Sequence, residues 1–147
     1  MESIENEYMH KSSIQELQVM YAVAIDSGNY DKLDDIFTSD AVGIYGRSYN
    51  GIEEIKQAMI DGCDYLTSVQ HINGNHWATI NGNTASAGCY LHVIQHLLDT
   101  PGGDIHEMGG VYFDELLLTD SGWRIAKREI KIKWSKGNTL IRDNKPS

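Results

Sequence analysis

The sequence predicts an α+β domain in which helices come first and a strongly curved, mostly antiparallel sheet follows, together making a cone with an opening. Two observations carry this. Apolar residues in the first half recur at helical spacing, and from Leu66 onward the pattern switches to period two, in four long runs separated by turn residues. Helices and strands that are segregated along the chain, rather than alternating, indicate α+β rather than α/β architecture. A length of 147 residues suits one domain and buries enough surface for a core without staples.

The elements follow in order. A first helix is expected from Ser12 or Ser13, either of which can cap it, with Glu16 placed to close a capping box. Ile14, Leu17, Tyr21 and Ala24 form its inner stripe, Ile25 flanks that stripe, and Gly28 is a natural stop. Residues 1–11 read as a flexible lead, 12–137 as the domain, and 138–147 as a tail without periodicity. A short second helix follows Asn29, with Leu33, Ile36 and Phe37 inward. Ala41–Tyr49 reads as a short strand pair. Asn50 caps a third helix whose apolar face is Ile52, Ile55 and Met59.

The four long strands are Leu66–Ile80, Thr84–Leu98, Ile105–Thr119 and Trp123–Lys136. They are broken by Asn81-Gly82, by Thr100–Asp104 and by Asp120-Ser121-Gly122. In the last strand Ile130, Ile132 and Trp134 alternate with Glu129, Lys131 and Lys133. Trp123 and Ile125 have the opposite parity, which predicts a bulge near Lys127-Arg128. Gly109-Gly110 predicts a bend or a close backbone approach.

Composition excludes several classes of function. Twelve Lys+Arg against 21 Asp+Glu give a net charge of −9, a field that repels nucleic acid and anionic membrane surfaces. The longest apolar runs fall far short of a membrane span. The N-terminal MESIENEYMHKSS has no signal-peptide core, so a cytoplasmic location is expected. Cys63 and Cys89 form no CxxC or zinc pattern and read as reduced thiols in the fold. His92 and His96 share a strand face but stand about 13 Å apart, too far to hold one metal. His76, His106 and Glu107 complete no ligand set, so no metal is expected. The run Asp99–Asp104 reads as a loop, since no phosphate-binding motif accompanies it. Lys127, Arg128, Lys131, Lys133 and Lys136 read as a basic stripe on the solvated or partner-facing side of the last strand.

Four segments taken together carry a resemblance: YAVAIDSGNYDKLDDIFTSDAV, YNGIEEIKQAM, QHINGNHWATINGNTASA and GGVYFDELLLTDSGWRIAKREI. In their order and spacing over residues 12–137 they resemble the SnoaL-like branch of the NTF2-like superfamily. The resemblance implies the family's cone: three helices on a curved sheet. It also implies a choice among the family's activities. These include polyketide cyclases, ketosteroid isomerase, scytalone and bile-acid dehydratases, hexachlorocyclohexane dehydrochlorinase, small subunits of ring-hydroxylating dioxygenases and non-enzymatic binders. Most of the enzymes use no cofactor and move protons on a small hydrophobic molecule held in the cone.

The resemblance to the dehydratase and dehydrochlorinase members rests on Tyr21, Asp26 and His71. YAVAID supplies a Tyr five residues before an Asp at the end of the first long helix, and HINGN supplies a His near the start of the first long strand. On this reading His71 is a general base, Asp26 orients its ring and stabilises the imidazolium, and Tyr21 polarises or protonates. Tyr45, Asn75, Tyr90 and Tyr112 are further donors for lining the cone, and Trp134 a further substrate contact. The Arg that some dehydratases place on the last strand finds no equivalent, the inward candidates there being Ile130, Ile132 and Trp134. Each residue also has a plainer reading. Asp26 precedes Ser27-Gly28-Asn29, where Asp suits a turn. Tyr21 lies on the apolar stripe, and His71 can serve as a core or interface residue.

Two functions follow. One is a cofactor-independent lyase or isomerase, of dehydratase, dehydrohalogenase or cyclase type. The alternative is a non-catalytic small-molecule-binding or assembly module of the same fold. Either implies a homo-oligomer, a dimer first and a trimer next, because the outer face of the sheet needs cover.

Overall fold

The computed structural model describes residues 3–143. Helix α1 (Ile4–Asp26) starts well before the expected serines: Ser3 is its cap, accepting from the Asn6 N–H at 3.2 Å. Glu5 and Glu7 in the first turn suit the positive end of the helix dipole, and Lys11 pairs with Glu7 at 2.7 Å. Ser13 lies inside the helix, its hydroxyl donating back to the Met9 carbonyl. From Ile4 on, the lead expected to be flexible is thus helical. Periodicity hid this because Ile4, Tyr8 and Met9 are exposed and the buried stripe begins only at Ile14.

A 3-10 turn (Tyr30–Asp35) buries Leu33 and leads into strand β1 (Phe37–Tyr45), so Phe37 opens a strand instead of closing a helix. Strand β2 (Arg47–Asn50) pairs back antiparallel across Gly46, whose φ of 80° the tight turn requires. Gly51, not Asn50, is the N-cap of α2 (Ile52–Cys63). Glu54 reaches back to the Asn50 N–H at 2.7 Å. Ile52 and Ile55 are the buried residues of α2.

The remaining strands are β3 (Ser68–Asn81), β4 (Thr84–His96), β5 (Ile105–Thr119) and β6 (Gly122–Gly137). They join one six-stranded sheet of order β2-β1-β6-β5-β4-β3. Every neighbouring pair is antiparallel except β1 and β6. The β3–β4 loop is Gly82-Asn83, one residue later than expected, since Asn81 pairs with Thr84.

Bulges supply the curvature. On β3, Gly74 faces Tyr90 and Trp77 faces Gly88, so Asn75 and His76 together oppose Cys89. On β6, Leu116 faces Ile125 and Glu115 faces Lys127, so Ala126 is extra; Lys133 is extra again opposite Gly109-Gly110. An inserted residue bends its strand and increases its twist.

The concave face packs on α1 and α2. The core includes Ile14, Ile25, Leu33, Ile36, Ile55, Leu116 and Ile125, each within 1 % of full burial. The tail is anchored as far as Asp143. A short α3 (Leu140–Asp143) buries Ile141, whose carbonyl accepts from the Tyr65 hydroxyl at 2.9 Å. Residues 144–147 of the expected tail lie outside the described residues. Among the described residues no helix is long and apolar enough to cross a membrane.

Candidate functional site

The end of α1 meets the first half of β3. Ser27 returns its hydroxyl to the Val23 carbonyl and Gly28 turns the chain away at φ 71°, leaving Asp26 as the last helical residue, beside β3. Both Asp26 carboxylate oxygens are used. Oδ1 lies 2.6 Å from His71 Nδ1, and Oδ2 accepts the His71 backbone N–H at 2.8 Å. The second bond fixes the strand, the first the ring. A carboxylate at Nδ1 places the proton on that nitrogen and leaves Nε2 with its lone pair. The His71 side chain is 8 % exposed and that of Asp26 24 %. Both line a crevice of about 240 Å³ between α1 and β3, with Val19, Ala22, Val23, Ile72 and Asn73.

One turn and a half before Asp26, Tyr21 enters the concave interior. Its ring is edge-on to His71 at 6.5 Å and to Tyr112 at 5.6 Å. Its hydroxyl is 3.0 Å from Met59 Sδ and 3.4 Å from the Tyr45 hydroxyl. Burial pushes the phenols of Tyr21, Tyr45 and Tyr112 well above the ordinary tyrosine range, and mutual repulsion among them adds to it. They therefore act as protonated donors.

The last strand does carry a cation in this interior, contrary to the sequence expectation. Arg128 is fully buried. Asp114, directly opposite it on β5, accepts Nε at 2.7 Å and Nη2 at 2.8 Å. The guanidinium lies over the Tyr112 ring at 4.1 Å and the Tyr21 ring at 4.4 Å. Its Nη1 is buried and finds no hydrogen-bond partner among the described residues. Gln18, one turn before Tyr21 on α1, donates Nε2 to Asp114 Oδ2 at 3.1 Å and faces His76 Nδ1 with Oε1 at 2.7 Å. Asn73 Nδ2 donates to the Gln18 carbonyl at 3.0 Å.

The structure thus brings Tyr21, Tyr45, Asp26, His71 and Tyr112 together and sends the other three candidates elsewhere. Asn75 occupies the β3 bulge at φ 50° and is exposed. Tyr90 has the outward parity of β4 and is 51 % exposed. Trp134 falls beyond the second β6 bulge, 45 % exposed, with its ring near that of His92 and over Gly109. Ile132 is exposed as well, and of the three expected inward residues Ile130 alone packs against the core. The outward residues form an apolar face: Ile72, Trp77, Tyr90, Phe113, Leu117 and Trp134.

Sequence reasoning missed Arg128, Asp114 and Gln18. A signal for Arg128 was present, because it shares parity with Ile130 once the bulge is placed on its N-terminal side at Ala126. Gln18 follows Ile14 by one helical turn and precedes Tyr21 by three residues, so it lies on the buried stripe.

The comparisons agree with this architecture. The SnoaL-like domain profile matches residues 7–129. An uncharacterized protein of Mycobacterium tuberculosis is 32% identical over 131 residues, covering 83% of this chain and 84% of its own. A Novosphingobium aromaticivorans structure assigned as a scytalone dehydratase superposes with TM-score 0.83 at 17% identity, covering 91% of each chain. A hexachlorocyclohexane dehydrochlorinase structure superposes with TM-score 0.80 at 17% identity, covering 91% of this chain and 92% of its own.

Proposed function

Because the chain belongs to the SnoaL-like domain family, within the NTF2-like fold, we propose that it is a cofactor-independent lyase or isomerase that abstracts a proton from carbon in a small, uncharged, largely apolar substrate. The observation that carries this is the clamp of Asp26 on both the ring and the backbone of His71. The clamp dictates which imidazole nitrogen is basic. It also holds a counter-charge against the imidazolium formed when Nε2 takes the proton.

In this reading the C–H electron pair moves into the substrate, as an enolate or as the new double bond of an elimination. Negative charge then collects on a substrate oxygen or on a departing hydroxide or halide. Arg128 Nη1 and the protonated tyrosines supply donors for it, in an interior where water does not compete. The proton on Nε2 is delivered to the leaving group or to a second carbon. The Arg128 charge is already balanced by Asp114, so a neutral substrate adds no net charge to the buried site. A carboxylate would add an unpaired charge to a buried site. Elimination, isomerisation and cyclisation all begin this way.

The test is hydrogen–deuterium exchange at an acidic C–H. Uncharged ketones such as 2-tetralone and its relatives are followed by proton NMR in D2O. Wild-type protein is expected to accelerate exchange, and His71→Ala or Asp26→Asn to lose about 10²–10⁴ of that acceleration with circular dichroism unchanged. Acceleration that survives both substitutions refutes the dyad mechanism. A wild type that accelerates none of the panel favours the second reading, a binding or assembly module.

That second reading draws on the outer face. The register sets Trp77, Gly88 and Phe113 side by side, with the Lys131 ammonium 5.2 Å above the Phe113 ring. A contiguous aromatic face with a charged rim suits an interface. We assign it to a second copy of this chain, compatible with either function. A Trp77→Glu variant should run as a monomer in light scattering where the wild type runs as a dimer.

A further inference from the structure

The Arg128 guanidinium is fixed by a chain of polar side chains that reaches the molecular surface. Asp114 takes two of its nitrogens. The ion-paired carboxylate can only accept, so the Gln18 amide must turn its nitrogen toward Asp114. Its oxygen must then face the other way, where it meets His76 Nδ1 at 2.7 Å. A carbonyl oxygen only accepts, so His76 holds its proton on Nδ1. Burial lowers the imidazole's affinity for a second proton, which keeps the ring neutral. The chain of bonds runs from the groove between α1 and β3, which His76 and Trp77 line, to a buried guanidinium between two tyrosine rings. Gln18 is itself fully buried, and its backbone carbonyl is held by Asn73.

We propose that Gln18 and His76 are positioning residues. Through Asp114 they fix the rotamer of Arg128 and leave Nη1 as the nitrogen offered to the cone. The β3 bulge is part of this device. Asn73 and His76 both reach Gln18 because the bulge resets the strand's parity between them. This role rests on the proposed reading in that Nη1 is the donor for the substrate oxygen. The arrangement itself is read without turnover.

The test is nitrogen-15 NMR on the full chain. His76 should show the Nδ1–H tautomer, and the Arg128 Nε–H should be protected from solvent exchange. His76→Leu, placed at the half-buried groove end of the chain, removes the donor without touching Arg128. The Arg128 Nε–H is expected to exchange about fivefold faster in it, the effect of one neutral hydrogen bond. His76→Asn restores an amide N–H where Nδ1–H stood and should restore the wild-type exchange. Gln18→Met should shift the Arg128 resonance and release the His76 tautomer. A His76 proton on Nε2 in the wild type overturns the proposal. So does Arg128 exchange that is unchanged in His76→Leu, or equally fast in His76→Leu and His76→Asn. Failure of the ketone exchange assay alongside these NMR results would refute the catalytic reading and leave the positioning intact.

Discussion

Replacing Asp114 by leucine removes the carboxylate from a pair whose side chains are both 0% exposed. Arg128 is then left as a buried, unpaired charge between Tyr21 and Tyr112. Gln18 loses its acceptor at the same time. Breaking one partner of a buried ion pair costs about 3–5 kcal/mol. For a domain of this size that corresponds to a fall in Tm of about 10–15 °C. Arg128→Leu should cost a similar amount, because it orphans the carboxylate instead. Additive effects would bring the double variant to about 6–10 kcal/mol, near or beyond the stability of an ordinary domain. The structure argues otherwise. With both charges gone, the residual polar damage is the Gln18 Nε2, an orphan donor worth about 1–3 kcal/mol. The double variant should therefore be more stable than either single one. Urea unfolding of the four proteins, with a common slope, gives the coupling energy, expected to be at least about 3 kcal/mol in favour of the pair. Additive single effects, or a stable Asp114→Leu protein, would refute a desolvated charge pair at the centre of the cone.

Three other outcomes follow from the same interior and its surroundings. Tyr21, Tyr45 and Tyr112 resist ionisation in the fold because burial raises their pKa values. Unfolded phenols lose their protons near pH 10, so stability should fall above that pH, by up to about 1.4 kcal/mol per pH unit for each buried phenol. Absorbance at 295 nm should show these three ionising only as the protein unfolds. Burial pushes the Cys89 thiol up to about 11, and Cys63 is half-buried. Iodoacetamide at pH 8 should therefore leave Cys89 unmodified by mass spectrometry until denaturant is added. Gly88→Ala would drive a methyl group into the Trp77 ring and the Tyr112 carbonyl. It should cost about 1–3 kcal/mol and shift tryptophan emission to the red.

Much of the fold was legible because its signals are periodic. The alternation in Ile105–Thr119 gave that strand its full length, and the switch from helical to alternating spacing separated helices from sheet. The beginning of α1 was not legible, since its first turns bury little and are held by Ser3 and a surface ion pair instead of an apolar stripe. The dyad was legible through a resemblance and not through pattern. Asp26 and His71 are 45 positions apart, and nothing local in either segment announces their contact. Asn75, Tyr90 and Trp134 were misplaced for two reasons. Residue type suggested a donor or an aromatic wall, whereas facing is set by parity, and parity is reset at Asn75 and again at Lys133.

Arg128 shows how far a single inserted residue reaches. Trp123 and Ile125 face inward at the start of β6. Strict alternation would then turn Lys127 and Glu129 into the cone and send Arg128 to solvent, which is where a basic stripe placed it. Ala126 is unpaired in the ladder between Ile125 and Lys127, so the side chains from Lys127 to Ile132 change face, until the second bulge at Lys133. Arg128 then lands opposite Asp114, on the face that Gln18 closes from α1. Desolvating a guanidinium is tolerable only where a carboxylate and aromatic faces await it, and Asp114, Tyr21 and Tyr112 supply them. Deleting Ala126 would remove the insertion and keep Lys127 opposite Glu115 and Arg128 opposite Asp114, so the ion pair should survive the loss of the bulge. This chain thus holds a cation against the Tyr21 ring, which stands edge-on to His71.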